Sequence, residues 1–94
     1  MSVFIIRVEL HQFNHQHPNY QSLHVLMSNA GFVKRIKYDN KVYELPTAEY
    51  CEVSERTTKV VLASVKTIAN LVDKDNGVIV NKSIEFLQEG LLPI

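Results

Sequence analysis

The stretch VFIIRVEL, Val3 to Leu10, constrains this chain more than any other. Phe4, Ile6, Val8 and Leu10 alternate along it, while on the other parity Val3 and Ile5 give way to Arg7 and Glu9. A period of two with one wholly apolar face predicts a β-strand buried on one side throughout and on the other for half its length. Such a strand needs neighbours on both edges and a layer over its apolar face. The 94 residues fit a single domain, 1–94, that supplies them.

The rest of the chain reads as that supply. A polar loop, His11 to His17, leads to Pro18, where a helix starts with His17 or Asn19 near its cap. Tyr20, Leu23, Leu26, Met27 and Ala30 recur at helical spacing, and Gly31 stands where a left-handed residue would end the helix. FVKRIKY, Phe32 to Tyr38, alternates again, and Asp39-Asn40 is a two-residue reversal of types that tolerate positive φ. The returning strand starts at Lys41, is interrupted at Pro46 and resumes over Ala48 to Val53. A second helix, capped by Ser54 or Thr57, carries Val61, Leu62, Val65, Ile68, Ala69 and Val72 as its apolar stripe. DKDNG turns the chain into a last strand, Val78 to Lys82. The tail, residues 83–94, is apolar enough to predict that it docks on its own domain or on a partner.

Strand, helix, strand, strand, helix, strand is the order of an α+β, ferredoxin-like βαββαβ domain: an antiparallel sheet with two helices on one face. The order 4-1-3-2 would put the first strand in the middle of the sheet. It would leave the face bearing Ile5, Arg7 and Glu9 free of helices, open to a dimer partner, a nucleic acid or solvent.

Composition narrows the function classes. Ten basic and ten acidic residues balance to zero, which excludes a strongly cationic nucleic-acid binder. The charge is nonetheless uneven, +3 over Met1 to Tyr43 and −3 from Glu44 onward, and all four histidines lie in the first half. Lys34, Arg35, Lys37 and Lys41 are the candidate RNA contacts; as a plain alternative they are a solvated hairpin whose charges discourage edge pairing. No apolar run reaches the length of about 20 residues that spans a bilayer, and no export signal precedes the first strand, so a soluble, cytoplasmic protein is expected. Cys51, the only cysteine, reads as a buried reduced thiol.

Candidate chemistry gathers at the end of the first strand. Arg7 and Glu9 lie two apart on one strand face, so their side chains point the same way. Arg7 could grip a phosphate, and Glu9 could act as a base or as an oxygen ligand; paired with each other they are an ordinary ion pair. His11, His15, His17 and His24 follow, and two imidazoles can divide general base and general acid roles in a metal-free ribonuclease. Their spacing matches no zinc pattern. There is no Gly-rich phosphate loop and no cofactor motif, with glycine only at 31, 77 and 90.

FIIRVEL, the Gly31-Phe32 helix exit and above all YELPTAEY, Tyr43 to Tyr50, resemble the small bacterial proteins grouped with the GhoS antitoxin endoribonucleases of type V toxin-antitoxin systems, which are similar in fold to VapD and to the small CRISPR-adaptation nucleases. The resemblance implies a ferredoxin-like fold, a homodimer and a nuclease candidate near the end of the first strand. That position holds Glu9 here, where Asp is commoner, and the loop after it is unusually rich in histidine. On this reading Arg7, Glu9, His15 and His17 are the catalytic candidates on single-stranded RNA, with no metal and no cofactor. The competing class is a non-enzymatic interaction module.

Overall fold

The structure is a computed structural model that describes all 94 residues. It is an α+β chain whose elements run β1 (Ser2–Leu10), α1 (Pro18–Asn29), β2 (Arg35–Tyr38), β3 (Lys41–Glu44), β4 (Glu49–Ser54), α2 (Thr58–Val72) and β5 (Asn76–Ser83). β1 is the middle strand of a three-stranded antiparallel sheet ordered β4-β1-β5. Its register sets Ile6 opposite Tyr50 on one side and Val80 on the other, and Arg7 opposite Glu49 and Ile79.

The alternation of β1 does what its pattern predicts. Phe4, Ile6, Val8 and Leu10 are buried in one cluster with Tyr20, Leu23 and Met27 of α1 and Val61, Val65 and Ala69 of α2. Leu62, assigned to the stripe of the second helix, is instead exposed, so the buried stripe of α2 is narrower than its apolar residues suggest.

Both helices begin and end where local chemistry dictates. Pro18 opens α1, and the His17 side chain accepts the Asn19 N–H at 3.1 Å as its cap. At the other end Gly31 has φ +93°, Phe32 N–H bonds to Met27 O at 2.9 Å and Gly31 N–H to Ser28 O at 3.0 Å. Those two bonds form a Schellman closure, and the accompanying apolar contact is supplied by Phe32 and Met27, both in the core. Thr57, rather than Ser54, caps α2 by accepting the Val60 N–H at 3.2 Å.

The middle of the chain departs from a simple pair of long strands. β2 and β3 form a separate two-stranded hairpin, turned by Asp39 and Asn40 at φ 50° and 64°. Residues 32–34 leave the hairpin to meet β4, where Val33 and Cys51 exchange backbone hydrogen bonds of 2.9 and 2.7 Å. The Leu45 N–H still reaches Lys34 O at 2.8 Å, but Pro46 breaks the ladder before β4 starts.

The other face of β1 has a cluster of its own. Ile36, Leu45 and Cys51 are buried there against Val3, Ile5, Tyr43, Phe86 and Leu91. The tail folds back on its own chain: Glu44 N–H bonds to Leu92 O at 2.9 Å and Ile94 N–H to Val42 O at 3.0 Å, which adds it to the free edge of β3. Hairpin and tail thus cover the Val3-Ile5 end of the face and leave the Arg7-Glu9 end open.

Candidate functional site

At that open end the strand's last charged residues meet the loop that follows. Arg7 lies between two carboxylates, donating to Glu9 Oε1 at 2.5 Å and to Glu49 Oε2 at 3.1 Å. The second oxygen of Glu9 accepts from His15 Nε2 at 3.1 Å and from the Tyr20 hydroxyl at 3.3 Å. The Tyr20 oxygen in turn accepts the buried Leu10 N–H at 2.9 Å, which ties α1 to the end of β1. Tyr20 is fully buried, whereas Arg7, Glu9 and His15 keep 43, 35 and 43% of their side-chain surface in solvent. A rigid buried hydroxyl therefore underlies an open cluster of guanidinium, carboxylate and imidazole.

The electrostatics of the cluster follow from its contacts. Burial pushes the Glu9 carboxyl up, but hydrogen bonds from His15 and Arg7 and their charges outweigh it and hold the group below its ordinary value of 4.5. Glu9 is thus an ionised acceptor, so His15 Nε2 carries the proton between them and Nδ1 faces away. Burial raises the Tyr20 phenol. No group of three or more His, Cys, Asp or Glu side chains converges anywhere in the chain as a metal cage would require.

The four histidines, dense in sequence, separate in space. His15 alone joins Glu9. His17 is occupied as the helix cap and lies 4.1 Å from the Phe13 ring, centroid to centroid. His11 bonds through Nδ1 to Asp75 Oδ1 at 2.8 Å, clamping the loop to the α2-β5 turn, and this bond holds Asp75 below its ordinary range. His24 sits further along α1 with Nδ1 at 2.5 Å from the Tyr50 hydroxyl. Of the catalytic candidates, Arg7, Glu9 and His15 are brought together and His17 is not.

The basic candidates also divide. The Lys34 ammonium donates to three backbone carbonyls, Pro46, Thr47 and Glu49, at 2.6 to 3.1 Å and lies 5.0 Å over the Tyr50 ring. Burial brings it down to about 8, against the opposing pull of Glu44 and Glu49. Arg35 and Lys37 are exposed on one face of the hairpin, and the register places Lys41 on the other.

Tyr20, Glu49 and Tyr50 complete these contacts without having been candidates. Glu49 was recoverable in principle, because an antiparallel pairing of β1 with the Ala48 to Val53 strand sets one acid opposite Arg7. In the sequence Tyr20 belongs to the helical stripe and Tyr50 to the Ala48 to Val53 strand, and only the positions of their hydroxyls give them a part in these contacts. No protein-family profile, curated protein or solved structure matches the chain.

Proposed function

We propose that the protein is an RNA-binding endoribonuclease of the GhoS-like kind that cleaves single-stranded RNA by metal-independent acid/base chemistry at Glu9, His15 and Arg7. The observation that carries this reading is the Glu9 carboxylate held between a histidine and an arginine that all remain open to solvent. Because its hydrogen bonds keep Glu9 ionised, it is a weak base but a good orienting partner, so the base role falls to His15. His15 Nδ1 takes the proton of a 2′-hydroxyl, whose oxygen attacks the neighbouring phosphorus. The bond to the 5′-oxygen breaks, that oxygen takes a proton from solvent, and a 2′,3′-cyclic phosphate results. Arg7 offsets the charge that builds on the phosphoryl oxygens.

In the same proposal the fold is ferredoxin-like, with the β2-β3 hairpin as an arm added to βαββαβ, and the protein is a cytoplasmic homodimer. Support for the fold comes from the middle position of β1 and from the antiparallel β4-β1-β5 order. A second reading, a non-enzymatic interaction module, is favoured by Ile79 beside Arg7 and by Ile84 and Leu87 on the tail, which are largely exposed.

Purified protein incubated with a mixed-sequence single-stranded RNA in EDTA separates the two. Cleavage should leave cyclic phosphate ends and fall about 100-fold or more in His15→Ala, with a smaller loss in Glu9→Gln. Equal cleavage by wild type and both variants, or none by any, would sink the assignment.

A further inference from the structure

A cleft of about 300 Å³ opens between α1 and the β2-β3 hairpin, away from Glu9. His24 and Ser28 line it from α1, four residues apart and so on one helix face. Arg35 and Glu44 line it from the hairpin, where they are cross-strand neighbours. Arg35 forms no ion pair with Glu44 or with any other acid, which leaves its planar fork of donors free. The Ser28 hydroxyl is likewise without a hydrogen-bond partner in the chain.

The tautomer of His24 follows from its one partner. Tyr50 is fully buried, and its hydroxyl has no acceptor other than His24 Nδ1, so the phenol donates to that nitrogen. Neutral His24 then carries its proton on Nε2, which no group of the chain uses. The cleft thus offers an N–H donor, a hydroxyl and a guanidinium. Lys34 adds a fixed positive charge while its own hydrogens are spent on carbonyls.

We infer that this cleft is a phosphate subsite for one internal phosphodiester of a single strand. The charges decide for a diester: Lys34 and Arg35 against Glu44 leave one net positive charge, which matches a monoanion, and Glu44 at the wall disfavours a phosphomonoester dianion. The position is within reach of a strand bound at the Glu9 site, because the His15 and His24 rings flank the buried Tyr20 ring at 5.1 and 6.4 Å. The inference rests on the proposed reading of the protein as an RNA binder.

Two measurements keep the inference and that reading apart. In the first, a labelled single-stranded RNA is titrated by fluorescence anisotropy at several salt concentrations. Arg35→Gln, an exposed strand position, should weaken binding about tenfold and flatten the salt slope by about 0.7, the value of one phosphate contact on a single strand. In the second, dimethyl phosphate is titrated while the His24 ring is followed by NMR. Burial, and after it the Lys34 charge, holds His24 below 6.5, and a bound anion beside Lys34, Arg35, Glu44 and Tyr50 should raise it; Arg35→Gln should abolish that rise.

RNA binding that Arg35→Gln leaves unchanged in affinity and slope would overturn the subsite while the RNA reading stands. Absence of RNA binding by the wild type would remove the RNA reading and with it the strand subsite, and a His24 response to dimethyl phosphate would then show an anion site of another use. A flat His24 titration with dimethyl phosphate, whatever the RNA result, also overturns the inference.

Discussion

Tyr20 is the residue on which the open cluster depends most, and nothing in its chemistry is on display. Its ring fills the core, while its oxygen accepts the Leu10 N–H and donates to Glu9. Removing the hydroxyl leaves a buried amide unsatisfied, which costs far more than the hydrogen bond returns when both partners are present. Tyr20→Phe should therefore lose about 1 to 3 kcal/mol in urea unfolding despite deleting one atom from a well-packed core. Under the proposed nuclease reading it should also slow cleavage less than His15→Ala does, because the hydroxyl positions Glu9 rather than meeting substrate. A neutral effect on stability would mean that water replaces the hydroxyl at Leu10. The contrast with His17 shows what residue types alone can disclose. Arg7 and Glu9 were legible as a pair because strand periodicity fixes which side chains share a face. His17 was readable both as a helix cap and as a catalytic candidate, and only the fold decides between the two: its Nδ1 accepts the Asn19 N–H, while it is His15 Nε2 that meets Glu9.

At the scale of elements, the positions that local chemistry dictates came through and those that depend on distant partners did not. Asp39-Asn40, Pro18 and Gly31 each act through their own φ, so the turn, the helix start and the helix end could be placed from sequence. The single strand expected over Phe32 to Tyr38 splits because Val33 is claimed by Cys51, a partner eighteen residues away that periodicity cannot identify. The tail's partner was equally invisible, since apolar residues ask for burial without naming a surface. Gly31 provides the cleanest test of the local argument. At φ +93° an alanine is strained, but its Cβ would meet nothing closer than a Glu52 oxygen at 3.9 Å, so crowding is not an issue. Gly31→Ala should cost about 1 to 2 kcal/mol from backbone strain alone. Gly31→Asn should recover part of that loss, because asparagine tolerates the left-handed region; equal losses would point to packing instead.

For the molecule as a whole, Lys34 is a clasp between the hairpin and the sheet. Its ammonium binds the carbonyls of Pro46, Thr47 and Glu49, the segment that leads from the break at Pro46 into β4. That adds a side-chain tie to the Val33-Cys51 bonds and the Ile36-Leu45-Cys51 packing that hold the β2-β3 arm to β4. Burial makes the charged form costly and lowers the group from 10.5 to about 8, although Glu44 and Glu49 act the other way. The sign of the linkage is then fixed. Between pH 8 and 10.5 the unfolded chain keeps the Lys34 proton that the folded chain has released, so folding gains stability as pH rises through that window. Burial of Tyr20, Tyr50 and Cys51 works in the opposite direction, since each holds its proton more tightly when folded and loses that advantage as pH rises past its ordinary value. These opposed contributions cancel in a comparison with Lys34→Gln, which keeps all three. Measured by chemical denaturation, the stability of the wild type relative to Lys34→Gln should climb between pH 8 and 10.5 and stay level below pH 8. A difference that is flat across both ranges would mean that the three carbonyls stabilise the ammonium enough to offset its burial, and the clasp would then act through hydrogen bonds at every pH.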